Sequence, residues 1–235
     1  MSDRQVVLVT GPTGNLGGAV VQKFLPDNPR FFLIDRHSDR LLANYPNLTS
    51  LPDHLLIPNV DLTDRSAVED VVHQGVETLG RIDYLIHTVG GFQMGETVAE
   101  ISDDSWEFLM KLNVNTTLNI TRAVIPNMVN RKFGKIITIG ARPALKGKAK
   151  MGAYSAAKTA VLRLTEAMSA ELKEQGINVN CIIPGTIDTP QNRMAMPDAD
   201  TSRWVSLESL AGVIRFLCSP AAENIHGAAI PVYGR

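Results

Sequence analysis

Cysteine and histidine are scarce in this chain of 235 residues. The two cysteines, Cys181 and Cys218, fall in a predicted strand and a predicted helix. This placement favours buried free thiols in a reducing compartment over a disulfide. The five histidines show no spacing typical of a zinc site. No signal peptide is recognised before the first predicted strand, which begins within a few residues of Met1. We therefore expect a cytoplasmic protein without a bound metal.

Neither sign of charge dominates, and long apolar runs are missing. With 23 Lys and Arg against 24 Asp and Glu, the formal net charge is −1, which provides no bulk attraction for nucleic acid or an anionic membrane. No apolar run approaches the ~20 residues that span a bilayer. The short basic cluster Lys146, Lys148 and Lys150 is interpreted as a solvated loop. We expect a small-molecule substrate, with no nucleic-acid or membrane partner.

Short apolar stretches alternate with helix-forming segments along the whole chain. The predicted strands cover 5–10, 31–35, 55–60, 83–88, a stretch within 134–140, 177–183 and 228–232. The predicted helices cover 19–25, 63–79, 103–128, 153–175 and 206–218, and segment 37–54 is interpreted as irregular, with room for a short helix. This alternation predicts one α/β domain over residues 1–235. It would be a doubly wound, Rossmann-like parallel sheet of about seven strands with helices on both faces.

A glycine-rich turn lies between the first predicted strand and the first predicted helix. It reads Gly11-Pro12-Thr13-Gly14-Asn15-Leu16-Gly17-Gly18. Glycines let the backbone approach a pyrophosphate, and the start of the helix presents free N–H groups to it. The turn therefore predicts a dinucleotide site, with an ordinary glycine turn as the alternative.

Asp35 ends the second predicted strand, 18 residues after Gly17. An acidic residue at this point holds the adenosine ribose hydroxyls in dinucleotide folds, which favours NAD(H). Arg36 follows directly and could accept the 2′-phosphate of NADP(H), so that cofactor stays open. A helix-capping or solvated aspartate is the alternative interpretation of Asp35.

Tyr154 and Lys158 are four residues apart in a segment rich in good helix formers. On a helix they would lie on one face. A nearby ammonium group favours the phenolate and lowers the pKa of a tyrosine, so the pair could supply a proton to a substrate. A tyrosine and a lysine with this spacing, taken without other motifs, more often belong to an ordinary helix surface. Here it is joined by five residues at the carboxyl ends of predicted strands: Gly11, Asp35, Gly90, Gly140 and Pro184.

These motifs resemble the short-chain dehydrogenases/reductases over essentially the whole chain. The matching residues are Thr10-Gly11, Gly14, Gly17, Asp61-Leu62, Val89-Gly90, Asn113, Tyr154-x-x-x-Lys158 and Pro184-Gly185-x-x-x-Thr189. The resemblance implies a nicotinamide dinucleotide in contact with Asp61, Leu62, Val89, Gly90, Gly91, Pro184, Gly185, Ile187 and Thr189.

The resemblance also implies catalytic roles. Tyr154 would be the proton donor or acceptor, and Lys158 would hold the nicotinamide ribose and lower the tyrosine pKa. Asn113 would support a water that relays protons to Lys158, and Ile187 and Thr189 would hold the nicotinamide carboxamide. A homodimer or homotetramer through helices 103–128 and 153–175 is expected by the same analogy.

Three departures from the family pattern matter. Ala141 stands thirteen residues before Tyr154, where the family usually places a serine. The usual Asn-Asn-Ala-Gly is here His87-Thr88-Val89-Gly90, and Gly14 falls one residue before the common glycine position, which Asn15 occupies. Because alanine cannot donate a hydrogen bond to a substrate carbonyl, ordinary ketone reduction is in doubt.

The departures are similar to those of one branch, the dihydropteridine reductases, which also lack the serine. The matching stretches are Gly14-Asn15-Leu16-Gly17, Gly90-Gly91-Phe92 and the segment 187–200 with Trp204. The hypothesis is a reductase of a quinonoid pterin-like ring. The alternatives are a reductase of a small carbonyl or alcohol and a non-catalytic dinucleotide sensor.

Overall fold

A computed structural model describes residues 4–235, and its centre is a single parallel sheet with the strand order β3-β2-β1-β4-β5-β6-β7. Its strands are β1 Val6–Thr10, β2 Arg30–Ile34, β3 Leu55–Ile57, β4 Tyr84–His87, β5 Gly134–Ile139, β6 Ile177–Pro184 and β7 Ala229–Val232. The predicted α/β class and the seven-stranded parallel sheet are confirmed.

Helices cover both faces of this sheet. They are α1 Asn15–Phe24, α2 Ser38–Asn44, α3 Pro46–Thr49, α4 Arg65–Leu79, α5 Asp103–Leu109, α6 Thr116–Arg131, α7 Gly152–Leu172, α8 Pro190–Ala195 and α9 Leu207–Cys218. Helices α4, α6 and α7 contribute to one apolar cluster, and α1 and α9 contribute to a second cluster on the opposite face. The doubly wound arrangement is therefore confirmed as well.

The central strand β1 shows why its sequence forms a strand. All five of its residues are fully buried. Val6 and Leu8 belong to the cluster on one face, whereas Val7 and Val9 belong to the other. Successive side chains of a strand point to opposite faces, so a continuous run of apolar, mostly β-branched residues fits a strand covered on both sides.

The chain reverses direction across the sheet at β1. From β1 it runs outward to β2 and β3, and then returns to β4 on the other side of β1. Open parallel sheets bind ligands outside the carboxyl ends of the strands at such a reversal. The topology therefore places a crevice between the carboxyl ends of β1 and β4.

Two segments differ from the prediction. Segment 37–54 contains two short helices, α2 and α3, and β3 is confined to Leu55–Ile57 instead of extending to residue 60. Residues 58–60 leave the strand, and Asn59 adopts a left-handed backbone conformation with φ of 60°, which is incompatible with a continuing strand.

The expected single helix over residues 103–128 was also wrong in one respect. A π-helical segment, Met110–Asn115, separates α5 from α6. The Thr116 N–H donates to the carbonyl of Lys111, five residues back. Side chains satisfy displaced carbonyls, because Asn113 Nδ2 donates to the Leu109 oxygen at 2.9 Å and Thr116 Oγ1 donates to the Leu112 oxygen at 2.7 Å. Such side-chain bonds compete with the regular helix.

Gly75 allows α4 to pack closely on β2. A Cβ at Gly75 would lie 2.1 Å from Cε1 of Phe32, whereas a Cβ at Gly212 in α9 would meet only Lys23 Cε at 3.9 Å. We predict that Gly75→Ala lowers the free energy of unfolding by about 1–3 kcal/mol, as overpacking does. Gly212→Ala should raise it by about 0.5–1 kcal/mol, since alanine is the better helix former.

Denaturant unfolding of both variants measures these opposite signs. Both substitutions exchange the same residues inside a helix, so the difference isolates the contact with Phe32. Equal effects of the two substitutions would contradict the packing argument.

Candidate active site

A cavity of about 550 Å³ lies at the carboxyl ends of β1, β2 and β4. Of the residues that line it, the sequence predicted Gly11, Thr13, Gly14, Asn15, Leu16, Gly17, Asp35, Arg36, Asp61, Leu62, Val89 and Gly90. The same cavity is lined by Phe108, Lys111, Leu112 and Thr116, which carried no recognisable signal in the sequence.

The glycine-rich turn is shaped for close backbone approach. Gly11 has φ of 69°, in the left-handed region that favours glycine. A Cβ on Gly17 would lie 2.2 Å from the Gly11 oxygen, so only glycine fits there. Helix α1 then begins at Asn15 without a side-chain cap, which leaves its first N–H groups available to a phosphate. These features fit the pyrophosphate of a dinucleotide.

Asp35 connects the end of β2 to the glycine-rich turn. Its Oδ2 accepts hydrogen bonds from the backbone N–H of Thr13 at 3.1 Å and from Thr13 Oγ1 at 2.8 Å. Its Oδ1 accepts from the His37 N–H at 2.9 Å. The carboxylate is buried yet lines the cavity. It therefore orients the turn while presenting a negative charge to any ligand beside β2.

Asp61 and Arg36 form the outer part of the same wall. Hydrogen bonds from the N–H and hydroxyl of Thr63, together with the charge of Arg36, hold the pKa of the Asp61 carboxyl below its usual value despite opposing burial. Arg36 is exposed. The cavity thus carries the carboxylates of Asp35 and Asp61 and the exposed guanidinium of Arg36 at the ends of β2 and β3.

Tyr154 and Lys158 lie on α7 as predicted. Lys158 Nζ donates to the Ile139 oxygen at 2.9 Å, and a Cβ on Gly90 would lie 3.0 Å from that nitrogen. The Phe92 ring meets the Tyr154 ring edge-on, with centroids 4.9 Å apart. The lysine ammonium is thus held between the ends of β4 and β5, close to the predicted cofactor contact Gly90.

The protonation of this pair differs from the expectation that lysine would lower the tyrosine pKa. Burial raises the pKa of Tyr154 to about 12, and burial lowers the pKa of Lys158 to about 8. Desolvation disfavours the charged form of both groups. Tyr154 is consequently a protonated phenol at neutral pH and a weaker acid than a free tyrosine.

Asn113 joins the π-helical segment to the loop after β4. Its Oδ1 accepts from the Gly91 N–H at 3.1 Å, and its Nδ2 donates to the Gly91 oxygen at 3.1 Å. Its own carbonyl accepts from Thr117 Oγ1 at 2.7 Å. A Cβ on Gly90 would lie 2.8 Å from Asn113 Oδ1. Asn113 is therefore brought beside the Gly90 and Lys158 contact, as the resemblance implied.

The segment after β6 carries the remaining predicted contacts. Pro184 ends β6, and the Gly185 N–H donates to the Val232 oxygen at 2.8 Å. Thr189 caps α8 by accepting from the Asn192 N–H at 3.2 Å, and Asn192 Nδ2 donates to the Ile187 oxygen at 2.8 Å. Asn192 belongs to the segment 187–200 that carries the dihydropteridine-reductase resemblance but was not predicted as a site residue, and it fixes the positions of Ile187 and Thr189.

Helix α8 touches the glycine-rich turn across the mouth of the crevice. Asn15 Nδ2 donates to Gln191 Oε1 at 2.8 Å. The sequence offered no signal for this contact, because the two residues are 176 positions apart. It connects the pyrophosphate side of the cavity to the segment that carries Ile187 and Thr189.

His87 and Ser155 are two further residues that sequence reasoning missed. His87 is fully buried, with Nδ1 2.8 Å from Thr10 Oγ1 and Nε2 3.2 Å from Thr116 Oγ1. Burial lowers the pKa of His87 to about 3, so the ring is a neutral connector between β1, β4 and α6. The buried Ser155 Oγ has no hydrogen-bond partner among residues 4–235.

Ala141 begins the turn Arg142–Ala144 after β5 and is buried in extended conformation. Its side chain offers no donor at the position where the family resemblance places a hydroxyl. The site therefore has the phenol of Tyr154 but no serine at position 141.

A family model described as short chain dehydrogenase matches residues 5–200. The chain belongs to the short-chain dehydrogenases. It is therefore an NAD(P)-dependent oxidoreductase of this family.

Its similarity to curated relatives extends over nearly the full chain. It is 30% identical over 244 residues to 3beta-hydroxysteroid dehydrogenase 2 of Eggerthella lenta, covering 98% of this chain and 94% of the relative. It is 27% identical over 238 residues to (2S)-[(R)-hydroxy(phenyl)methyl]succinyl-CoA dehydrogenase subunit BbsD of Thauera aromatica, covering 98% and 95%.

A solved structure described as ElxO with NADP bound superposes with a TM-score of 0.89 at 22% identity, covering 98% of each chain. At this identity the likeness supports the fold alone. Within residues 4–235, no helix is both long and apolar enough to cross a membrane, and no cluster of three or more His, Cys, Asp or Glu could hold a metal ion.

The buried lysine makes stability depend on pH. Because the pKa of Lys158 falls from 10.5 to about 8 on folding, the folded chain binds fewer protons than the unfolded chain between these values. Stability should therefore rise as pH increases through this range. We predict that wild type gains about 2–3 kcal/mol relative to Lys158→Met between pH 7 and pH 10.

Urea unfolding at several pH values measures this difference. Lys111→Met, which removes an exposed lysine, is the control. A difference between wild type and Lys158→Met that stays constant with pH would contradict the burial argument.

Proposed function

We propose that the protein reduces a quinonoid dihydropteridine-like ring with NADH, and that Tyr154 donates the proton. The observation that carries this proposal is the combination of a partly buried, protonated Tyr154 with Ala141 in place of a hydroxyl donor. The resemblance of segment 187–200 and Trp204 to the dihydropteridine reductases supports the same substrate class.

In the proposed reaction, a bound nicotinamide supplies the hydride. The Tyr154 phenol donates a proton to a ring nitrogen as the hydride adds to the substrate. Lys158 holds the nicotinamide ribose and, through a water supported by Asn113, returns a proton to Tyr154. The burial of Lys158 favours its neutral form above a pH of about 8, so it can both take up and release a proton near neutrality.

The missing donor explains why a ketone is the poorer substrate. Oxygen gains charge when hydride adds to a ketone, and loss of one oxyanion donor costs about 10²–10³ in kcat. Hydride addition to a quinonoid ring instead restores a conjugated ring and spreads the charge. The single donor Tyr154 is then sufficient.

An apolar ring in contact with Tyr154 and apolar side chains on and after α8 support a flat substrate. Phe92 is 57% exposed while its ring meets Tyr154, and Met194 on α8 is 82% exposed. Met196 and Trp204 follow on the same segment. We propose that these four residues form an apolar wall against the ring.

A second candidate is the reduction of a small carbonyl compound or the oxidation of an alcohol. Two of the relatives described above, the hydroxysteroid dehydrogenase and the (2S)-[(R)-hydroxy(phenyl)methyl]succinyl-CoA dehydrogenase subunit, favour it by their names. A dinucleotide sensor without turnover is disfavoured, because Tyr154, Lys158 and Asn113 are all retained and a sensor needs no proton relay.

NADH oxidation measured with a panel of acceptors tests the substrate class. We predict that quinonoid dihydropterin is reduced much faster than simple ketones. Ala141→Ser should raise ketone reduction, because it restores a donor, and should change pterin reduction by less than about tenfold. Tyr154→Phe should lower kcat by about 10²- to 10⁴-fold while NADH binding, followed by fluorescence, is retained.

Quinones in the panel separate a pterin preference from a general preference for electron-poor rings. If the unmodified protein reduces aliphatic ketones faster than the pterin, the second candidate replaces the first. Wild-type turnover by Tyr154→Phe would remove Tyr154 from the reaction.

We further propose a preference for NADH over NADPH. The buried Asp35 carboxylate lies at the cavity wall beside β2, where a 2′-phosphate would meet a like charge at a cost of several kcal/mol. The preference is defined as kcat/KM with NADH divided by kcat/KM with NADPH. Asp35→Asn, which can still accept a hydrogen bond from Thr13, should reduce the ratio at least about tenfold.

Arg36→Gln removes the positive charge next to Asp35. It should increase the NADH-over-NADPH ratio of kcat/KM, because Arg36 is the cation available to the 2′-phosphate of NADPH. Equal or better use of NADPH by the unmodified protein would overturn the proposed preference.

We also propose that the protein is cytoplasmic and acts as a homodimer or homotetramer. Both cysteines are buried free thiols, which supports a reducing compartment. The assembly would pair helices α6 and α7 across a two-fold axis, as the family resemblance implies.

A further inference from the structure

A second cleft, of about 600 Å³, lies beyond β6 at the carboxyl edge of the sheet. Its lining includes Arg142, Arg203, Trp204, Tyr233 and Arg235, and we refer to it as the arginine cleft. None of the roles proposed for the dinucleotide uses its cationic residues.

Arg142 is held in place without a charged partner. Its guanidinium carbon lies 4.6 Å from the centroid of the Tyr233 ring, a cation–π contact that orients the planar group. Among residues 4–235, no carboxylate lies within ion-pair distance of Arg142. Its side chain is exposed, so the N–H donors face the cleft or solvent and can bind a carboxylate or phosphate in a bidentate manner.

The charge balance of the cleft is positive. Asp200 is the one acidic side chain in its lining, and it is already engaged. Its carboxylate accepts from the Ser202 N–H at 3.1 Å and from Ser202 Oγ at 2.6 Å, and it lies 3.3 Å from Nε of Arg203. The Asp200 side chain therefore offsets Arg203, and no acidic side chain of the lining offsets Arg142 or Arg235.

The arginine cleft is lined by segments that adjoin those of the proposed substrate site. Arg142 directly follows Ala141, and the turn it begins packs against α7, which carries Tyr154. Trp204, part of the proposed apolar wall, also lines the cleft. The Val205 N–H donates to the Thr186 oxygen at 2.9 Å, which ties the Trp204 segment to the loop that bears Ile187.

We propose that the arginine cleft binds an anionic substituent, a carboxylate or a phosphate, on the substrate whose ring is reduced at Tyr154. This inference rests on the proposed function for the position of the ring. The substrate would then be a flat, electron-poor ring with a negatively charged tail, and Arg142 would be the residue that selects the tail.

Direct binding of simple anions tests the cleft without any turnover. In a Trp106→Phe background, Trp204 is the one remaining tryptophan and lines the cleft. Titration with sodium phosphate and with succinate at constant ionic strength should change its fluorescence in a saturable way. Arg142→Gln should weaken the binding at least about tenfold, and Arg65→Gln, a distant exposed arginine, should not.

The two probes distinguish the sources of negative charge. Tighter binding of phosphate assigns a phosphate ester to the tail, and tighter binding of succinate assigns a carboxylate. No saturable change, or equal affinity in wild type and Arg142→Gln, overturns the proposed anion site even if pterin reduction is observed.

A kinetic comparison tests the link to the reaction. With two quinonoid dihydropterins that differ in a carboxylate side chain, Arg142→Gln should lower the ratio of kcat/KM for the charged over the neutral acceptor at least about tenfold. Arg65→Gln should leave this ratio unchanged. If the protein reduces ketones instead, a keto acid and its methyl ester give the same comparison. An unchanged ratio in Arg142→Gln would overturn the substrate assignment.

Discussion

The missing side chain at Gly90 allows three parts of the molecule to meet at one point. Oδ1 of Asn113 and Nζ of Lys158 lie 2.8 and 3.0 Å from where a Cβ would be. A Cβ at position 90 would have to displace the Asn113 amide or the end of the Lys158 side chain. The present placement of these two side chains therefore depends on glycine at this position.

Burial at this meeting point determines the charge states of the groups around it. Lys158 and His87 are buried and Tyr154 is partly buried, which shifts the pKa of each group toward its neutral form. At pH 7 Tyr154 and His87 are neutral, whereas Lys158, with a pKa of about 8, is still mostly an ammonium. An anionic group that enters there would meet this ammonium with little solvent screening.

Much of this architecture could be predicted because local sequence carries it. Continuous apolar runs gave the strands, and glycines and Asp35 at their ends marked the crevice. The π-helical segment could not be predicted, since it arises from bonds of Asn113 and Thr116 to carbonyls in the preceding turn. Periodicity alone does not reveal such bonds.

Contacts between residues that are distant in the sequence could not be predicted either. Asn15 meets Gln191, and His87 joins Thr10 to Thr116, yet neither pair has a characteristic spacing. The pKa of Tyr154 was misjudged for a related reason. The YxxxK spacing indicates proximity to an ammonium group, but the degree of burial, which dominates here, depends on the assembled fold.

The π-helical segment Met110–Asn115 separates α5 from α6, and the side chains of the two helices point in different directions around the axis. A single extra residue rotates all later side chains by about 100° around the helix axis. Before it, Leu109 packs with Ala153 and Ala157 of α7; after it, Ile120 and Val124 pack in the main cluster under the sheet. The two parts of the helix therefore pack in two different apolar clusters. In evolutionary terms, the insertion of one codon can create this change of direction, and the deletion of one codon can remove it. The number of residues in this helix therefore matters as much as their identity.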